Sequence, residues 1–252
     1  MKDKAFILFN FLIVQFFGLL VTQKFFKREI VIIEGGSNPS TSFYLFFVIL
    51  IASAFVLALI KLNLSKFLYY FVDYFGLFLM NYYVFTFFIG MYLSIAFSFA
   101  VVFIRFKLRK WYVLNYCTII LSVGVVSFLG TSLKPLIIAI LMILLSFYDL
   151  VSVRKTGHMI ALADDVVEKG GSQVFRGKIG DETIILGAAD IIFPNLLIIS
   201  VYYNYGFMPY LITSFFSLFG LLLATRFYEK EGIPAMPFAS FGVLGFLISS
   251  FL

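Results

Sequence analysis

Long apolar runs fix what this chain can become. They fall at roughly 5–22, 42–60, 67–104, 111–130, 135–153, 184–204, 207–225 and 233–252. About 20 apolar residues cross a hydrocarbon core about 30 Å thick. The run at 67–104 would measure about 57 Å as a single helix, too long for one crossing. A break near Asn81-Tyr82, where polar and aromatic residues can meet an interface, divides it. The expectation is therefore an all-α membrane protein of nine transmembrane helices. Composition agrees: 62% of residues are hydrophobic, 20% aromatic and 13% charged, whereas a soluble domain is about a quarter charged.

The net charge of +6 is no nucleic-acid signal, because the basic residues sit in short connectors. They read as topology determinants. With the N-terminus cytoplasmic, the outside segments hold Lys24, Lys27, Arg28 and Lys134, and every other lysine and arginine lies inside. Treating 67–104 as one helix with the N-terminus outside gives a bias nearly as lopsided, so length decides the count. Met1-Lys2-Asp3-Lys4 resembles the charged start of a signal peptide, but no small-residue cleavage site precedes Lys24, and an uncleaved span is expected. The whole chain, 1–252, reads as one polytopic domain. Residues 1–134 form five scaffold helices. Residues 135–252 form four more, with a cytoplasmic connector at 154–182. That connector opens with helix-compatible RKTGHMIALADDVVEK and continues as a strand over Val174–Ile179 with a turn at Gly180-Asp181.

Chemistry concentrates on two aspartates inside apolar runs, Asp149 and Asp190. An ionisable group in a membrane span is costly and marks a functional site by default. Asp149 lies five residues before Arg154, about 7.5 Å in along a helix, and Asp190 lies eight residues after Glu182, about 12 Å in. On antiparallel neighbours both arrive in the cytoplasmic half. Close carboxylates share a proton, so one serves as base toward a water and the other as acid toward the carbonyl or leaving amine. No metal or other cofactor is needed, and one cysteine (Cys117) with one histidine (His158) leaves little material for a zinc site. Taken singly, Asp149 also fits an interfacial residue reaching Arg154, and Asp190 a cap on a helix broken at Gly187. Asp73, a third aspartate among apolar residues, reads as structural.

Three short motifs bear a resemblance. Tyr148-Asp149 resembles the Tyr-Asp motif of presenilins and signal peptide peptidases. Leu186-Gly187-Ala188-Ala189-Asp190 resembles their Gly-x-Gly-Asp motif, and Pro234-Ala235-Met236-Pro237 their Pro-Ala-Leu motif, in the family's order. The compact length and Lys155-Thr156-Gly157-His158-Met159 look most like an archaeal presenilin homologue. The resemblance covers about 135–252. It implies a presenilin-like bundle and an intramembrane aspartyl protease, a multi-pass protein of the cell membrane if prokaryotic. Asp149 and Asp190 would then be catalytic, and Tyr148, Gly187, Ala188, Ala189, Pro234, Ala235, Met236 and Pro237 would position substrate. Its partners would be single-span membrane proteins and the lipid bilayer, with no nucleic acid. Ala189 departs from the family's second glycine, and activity is expected to survive with altered rate or preference. Met236 for leucine conserves volume. The competing readings are a prepilin or preflagellin peptidase, which shares Gly-x-Gly-Asp, and a proton- or cation-coupled transporter or channel with membrane carboxylates.

Overall fold

The computed structural model describes residues 2–25, 38–108, 110–152, 158–179, 182–224, 226 and 235–250. Pro234, the Gly180-Asp181 turn, most of the 23–41 connector and the basic residues Lys27, Arg28, Arg109, Arg154, Lys155 and Lys230 lie outside them. The described elements are α1 (Lys2–Phe25), α2 (Ser40–Lys61), α3 (Ser65–Phe71), a π-helical turn (Val72–Gly76), α4 (Leu77–Ile89), α5 (Met91–Lys107), α6 (Trp111–Ser132) and α7 (Pro135–Val151). After these come α8 (His158–Glu168), β1 (Val174–Ile179), β2 (Glu182–Gly187), α9 (Ala188–Tyr205), α10 (Phe207–Ala224), α11 (Met236–Ala239) and α12 (Phe241–Ser249).

Among the described residues, five stretches are long and apolar enough to cross a membrane: Ala5–Lys24, Ser40–Lys61, Ser65–Ile89, Trp111–Ser132 and Phe207–Ala224. Pro135–Val151 and Met236–Ser249 are shorter apolar helices. Their ends follow local chemistry. Lys24, Lys61, Arg105 and Lys107 lie in last turns, where cations offset the helix dipole. Pro135 opens α7, a position that needs no N–H donor. The break expected near Asn81-Tyr82 is found instead at Gly90, whose φ of 81° stops α4 and starts α5. Asn81 is buried mid-helix, where its amide donates to the Leu77 carbonyl of its own helix.

The centre of the molecule is α9, packed against α1, α6, α7, α10 and α12. Ile191 and every residue from Pro194 to Val201 are buried. Because protein surrounds it, α9 tolerates Asn195, which turns its amide back to the Ile191 carbonyl. The outward helices instead expose apolar side chains such as Phe47, Ile51, Phe99 and Phe215. In lipid that exposure carries no hydrophobic penalty, and packing rather than burial from water holds the helices together. Between α10 and the α11–α12 segment the surfaces are made of small residues. An added Cβ on Gly220 would fall 1.9 Å from the Phe238 carbonyl oxygen, and one on Gly245 3.0 Å from that of Ile212.

The connector contains the expected strand β1. It also contains a strand the apolar-run reading missed: Glu182–Gly187 is β2, so α9 begins at Ala188 and not near 184. The strands pair antiparallel, Val174 opposite Gly187 and Ile179 opposite Glu182. Val174 and Phe175 are both buried, Phe175 in the main core and Val174 against Tyr69 and Val166. The hairpin is therefore built into the bundle, running straight into the core helix.

Candidate active site

Asp149 lies in the last turn of α7 and is 8% exposed. A carboxylate there faces the unpaired carbonyls of the helix end, a costly placement. The backbone N–H of Met236 donates to its Oδ2 at 3.2 Å. Asp190 lies in the first turn of α9, half-buried, immediately after the hairpin. Since β2 is extended, the helical depth estimated for Asp190 does not apply. The strand delivers the carboxylate to α9's first turn instead, and Asp149 comes within electrostatic reach of it. Pro194, four residues on, cannot donate to the Asp190 carbonyl, so α9 lacks one hydrogen bond at this point.

The other candidate residues gather around the pair to different degrees. Gly187 caps α9 with φ −58° and ψ 135°, a conformation open to any residue. Its requirement is spatial, since an added Cβ would stand 3.0 Å from Asp190 Oδ2. The Ala188 N–H continues the hairpin by donating to the Gln173 carbonyl at 3.0 Å. Ala189 is exposed and helical, so its methyl neither strains the backbone nor meets a packed neighbour. Tyr148 is half-buried and its hydroxyl lies 3.0 Å from Ser53 Oγ of α2.

Met236 lies beside Asp149 through its backbone N–H. Pro237 lies in the first turn of the one-turn helix α11, where proline's missing N–H costs nothing. Asp73 is remote from this cluster in its bonding. It pairs with Arg105 at 2.5 Å and accepts from Ser172 N–H at 2.9 Å and Gln173 at 3.0 Å. Its structural reading stands. Cys117 is free and buried, a packing residue.

The reading from sequence missed Arg105, Arg176 and Asn115. Arg176 is buried and donates to the Gly171 carbonyl at 2.7 Å, and Asn115 bonds both backbone groups of Arg176. A signal was present: Asn115 and Thr118 stand three apart on one face of an apolar helix, the spacing of polar residues with a common partner.

Residues 8–252 match the family model described as signal-peptide peptidase, presenilin aspartyl protease. The chain belongs to this family. No curated protein matches it. Among solved structures, a presenilin family intramembrane aspartate protease matches in two crystal forms. The C222 form has a TM-score of 0.71 and 21% identity over 96% of both chains. The P2 form has a TM-score of 0.71 and 22% identity over 96% of this chain and 95% of that one. At that identity the likeness speaks for the fold, and family membership speaks for the activity. The protein is thus an intramembrane aspartyl protease and a multi-pass integral membrane protein acting on transmembrane substrates. The prepilin-peptidase and transporter readings give way to it.

Proposed function

We propose that Asp149 and Asp190 are the catalytic pair of this presenilin-family protease, one carboxylate taking a proton from water as the other gives one to the scissile amide. The observation that carries this is that Asp149, in the last turn of α7, acts electrostatically on Asp190, in the first turn of the helix α9 packed against α7, with the Met236 N–H on Asp149. A carboxylate held by a backbone donor keeps one orientation, which general acid–base work requires. Tyr148, Gly187, Ala188, Ala189 and the Pro234–Pro237 motif position substrate around the pair. Gly187 keeps space beside Asp190, and Ala235-Met236 wall the Asp149 side.

The substrates are single-span membrane proteins, unwound at the scissile bond and held extended against the hairpin. Strand addition is a common way to grip an extended peptide, and β2 ends at the residue that caps α9. The chain crosses the membrane nine times with the N-terminus cytoplasmic. In support, the α3–α4 unit, α5, α7, α9 and the α11–α12 unit supplement the unbroken long helices, and the polar-bearing α9 is enclosed by its neighbours. Residues 1–134 serve as scaffold for 135–252 within a single domain, supported by the packing of α1 and α6 along α9. The test is purified protein with a single-span reporter. Asp149→Asn and Asp190→Asn should each reduce cleavage by several orders of magnitude with unchanged elution and helicity, and cleavage retained in either variant removes that residue from the pair.

A further inference from the structure

The hairpin has two outer edges, and the structure treats them differently. Alternate residues of a strand direct both backbone groups to the same side. Arg176 stands opposite Ile185. Its N–H and C=O are taken by one side chain of α6: Arg176 N–H donates to Asn115 Oδ1 at 2.8 Å, and Asn115 Nδ2 donates to Arg176 O at 2.6 Å. Those groups therefore face away from β2, and those of Ile185 face away from β1 on the opposite edge. The same side of the connector is engaged two and four residues earlier. Thr118 Oγ1 lies 3.3 Å from Val174 O and 2.9 Å from Ser172 O, and Ser172 N–H donates to Asp73 at 2.9 Å. Residues 172, 174 and 176 are the alternation that a neighbouring strand would engage. Side chains of α6 and the π-helical turn take its place. On the β2 edge the Ile185 side chain is 39% exposed, and among the described residues nothing bonds its outward backbone groups.

We infer that Asn115 is a positioning residue that stands in for a strand. It closes the β1 edge and braces the hairpin, so that an extended peptide has one edge to join, that of β2, which leads through Gly187 to Asp190. The inference rests on the proteolytic reading above. Physically, an amide that satisfies both groups of a buried residue removes the drive for any other chain to pair there. Its loss would leave two buried backbone groups unpartnered, which loosens the hairpin. A loosened hairpin must then be ordered by the substrate itself, which draws on binding free energy. Once the substrate is bound the three strands are as before. The burden thus falls on KM more than on kcat.

The first test needs no variant at the position. In wild-type protein the Arg176 amide should exchange hydrogen at least about tenfold more slowly than that of Ile185. Adding the single-span reporter to Asp190→Asn protein should slow Ile185 and leave Arg176 unchanged. The second test is Asn115→Leu, which keeps the volume and removes both bonds, with Ser122→Ala as control, a hydroxyl that bonds within α6 to the Thr118 carbonyl. Asn115→Leu should speed Arg176 exchange, raise KM about tenfold with kcat within about twofold, and broaden the set of cleavage positions. Equal exchange at Arg176 and Ile185 in wild type, or unchanged KM and cleavage positions in folded Asn115→Leu, overturns the inference. Cleavage surviving Asp190→Asn would instead strike the proposed pair, and the exchange contrast at Arg176 would still decide the edge.

Discussion

Gly187 shows how one missing methyl can matter at a site without any special backbone angle. Its dihedrals suit alanine, but the Cβ would press on Asp190 Oδ2 at 3.0 Å. Gly187→Ala should therefore leave stability within about 1 kcal/mol and reduce kcat sharply as the carboxylate rotates away from Asp149; wild-type kcat in the purified variant would show that Asp190 tolerates the push. Ala189 is the opposite case. It is helical and exposed, so the alanine substitutes for a family glycine without strain. Ala189→Gly should cost up to about 1 kcal/mol of helix stability, and kcat/KM should stay within about tenfold of wild type, read from unfolding midpoints and reporter kinetics. Both aspartates and the residues of their motifs were legible from sequence because ionisable and small residues stand out in an apolar run. Asn115 was not read, since its meaning depends on which backbone faces it, and that is set by the fold.

Elements were legible where length and pattern spoke together. β1 is found where the sequence placed it, and the helix-compatible opening of the connector is helical over His158–Glu168, its residues 154–157 lying outside the described ones. β2 was absorbed into a span because Ile184, Ile185 and Leu186 continue an apolar run, and a short apolar run does not distinguish strand from helix. The break in 67–104 was placed at a polar residue, whereas the chain breaks at a glycine with positive φ and buries the asparagine. The same small-residue logic governs α10. An alanine Cβ at Gly220 would stand 1.9 Å from the Phe238 carbonyl oxygen and 2.9 Å from the Phe241 Cβ. Backbone cannot yield as a side-chain tip does, so Gly220→Ala must part α10 from α11. Since α11 carries the Met236 N–H that holds Asp149, the variant should lose about 1–3 kcal/mol of stability and activity with it. A melt and turnover matching wild type would show that the α11 position does not set the Asp149 geometry.

At the scale of the whole molecule, the buried pair Asp73–Arg105 joins three parts of the chain: the π-helical turn, α5 and the connector. Arg105 is 1% exposed and Asp73 0%. The guanidinium also donates to the Gly170 carbonyl at 2.6 Å and to Ser172 Oγ at 3.3 Å. Removing one partner strands a buried charge, a loss of about 3–5 kcal/mol in general, while replacing both with apolar residues is often neutral. Here full recovery is not expected. Asp73 also accepts from Ser172 N–H and Gln173, and Arg105 also serves Gly170, so a double replacement leaves those connector groups without their partners. Asp73→Asn and Arg105→Met should each lower the unfolding midpoint in detergent, and Asp73→Leu/Arg105→Met should lower it less than either. Activity per folded molecule should fall in all three, because the connector from Gly170 to Gln173 leads into the strand that braces the site. If the double variant proves the least stable, the hydrogen bonds to the connector outweigh the charge pairing. If all three melt and turn over as wild type, the pair does not anchor the hairpin.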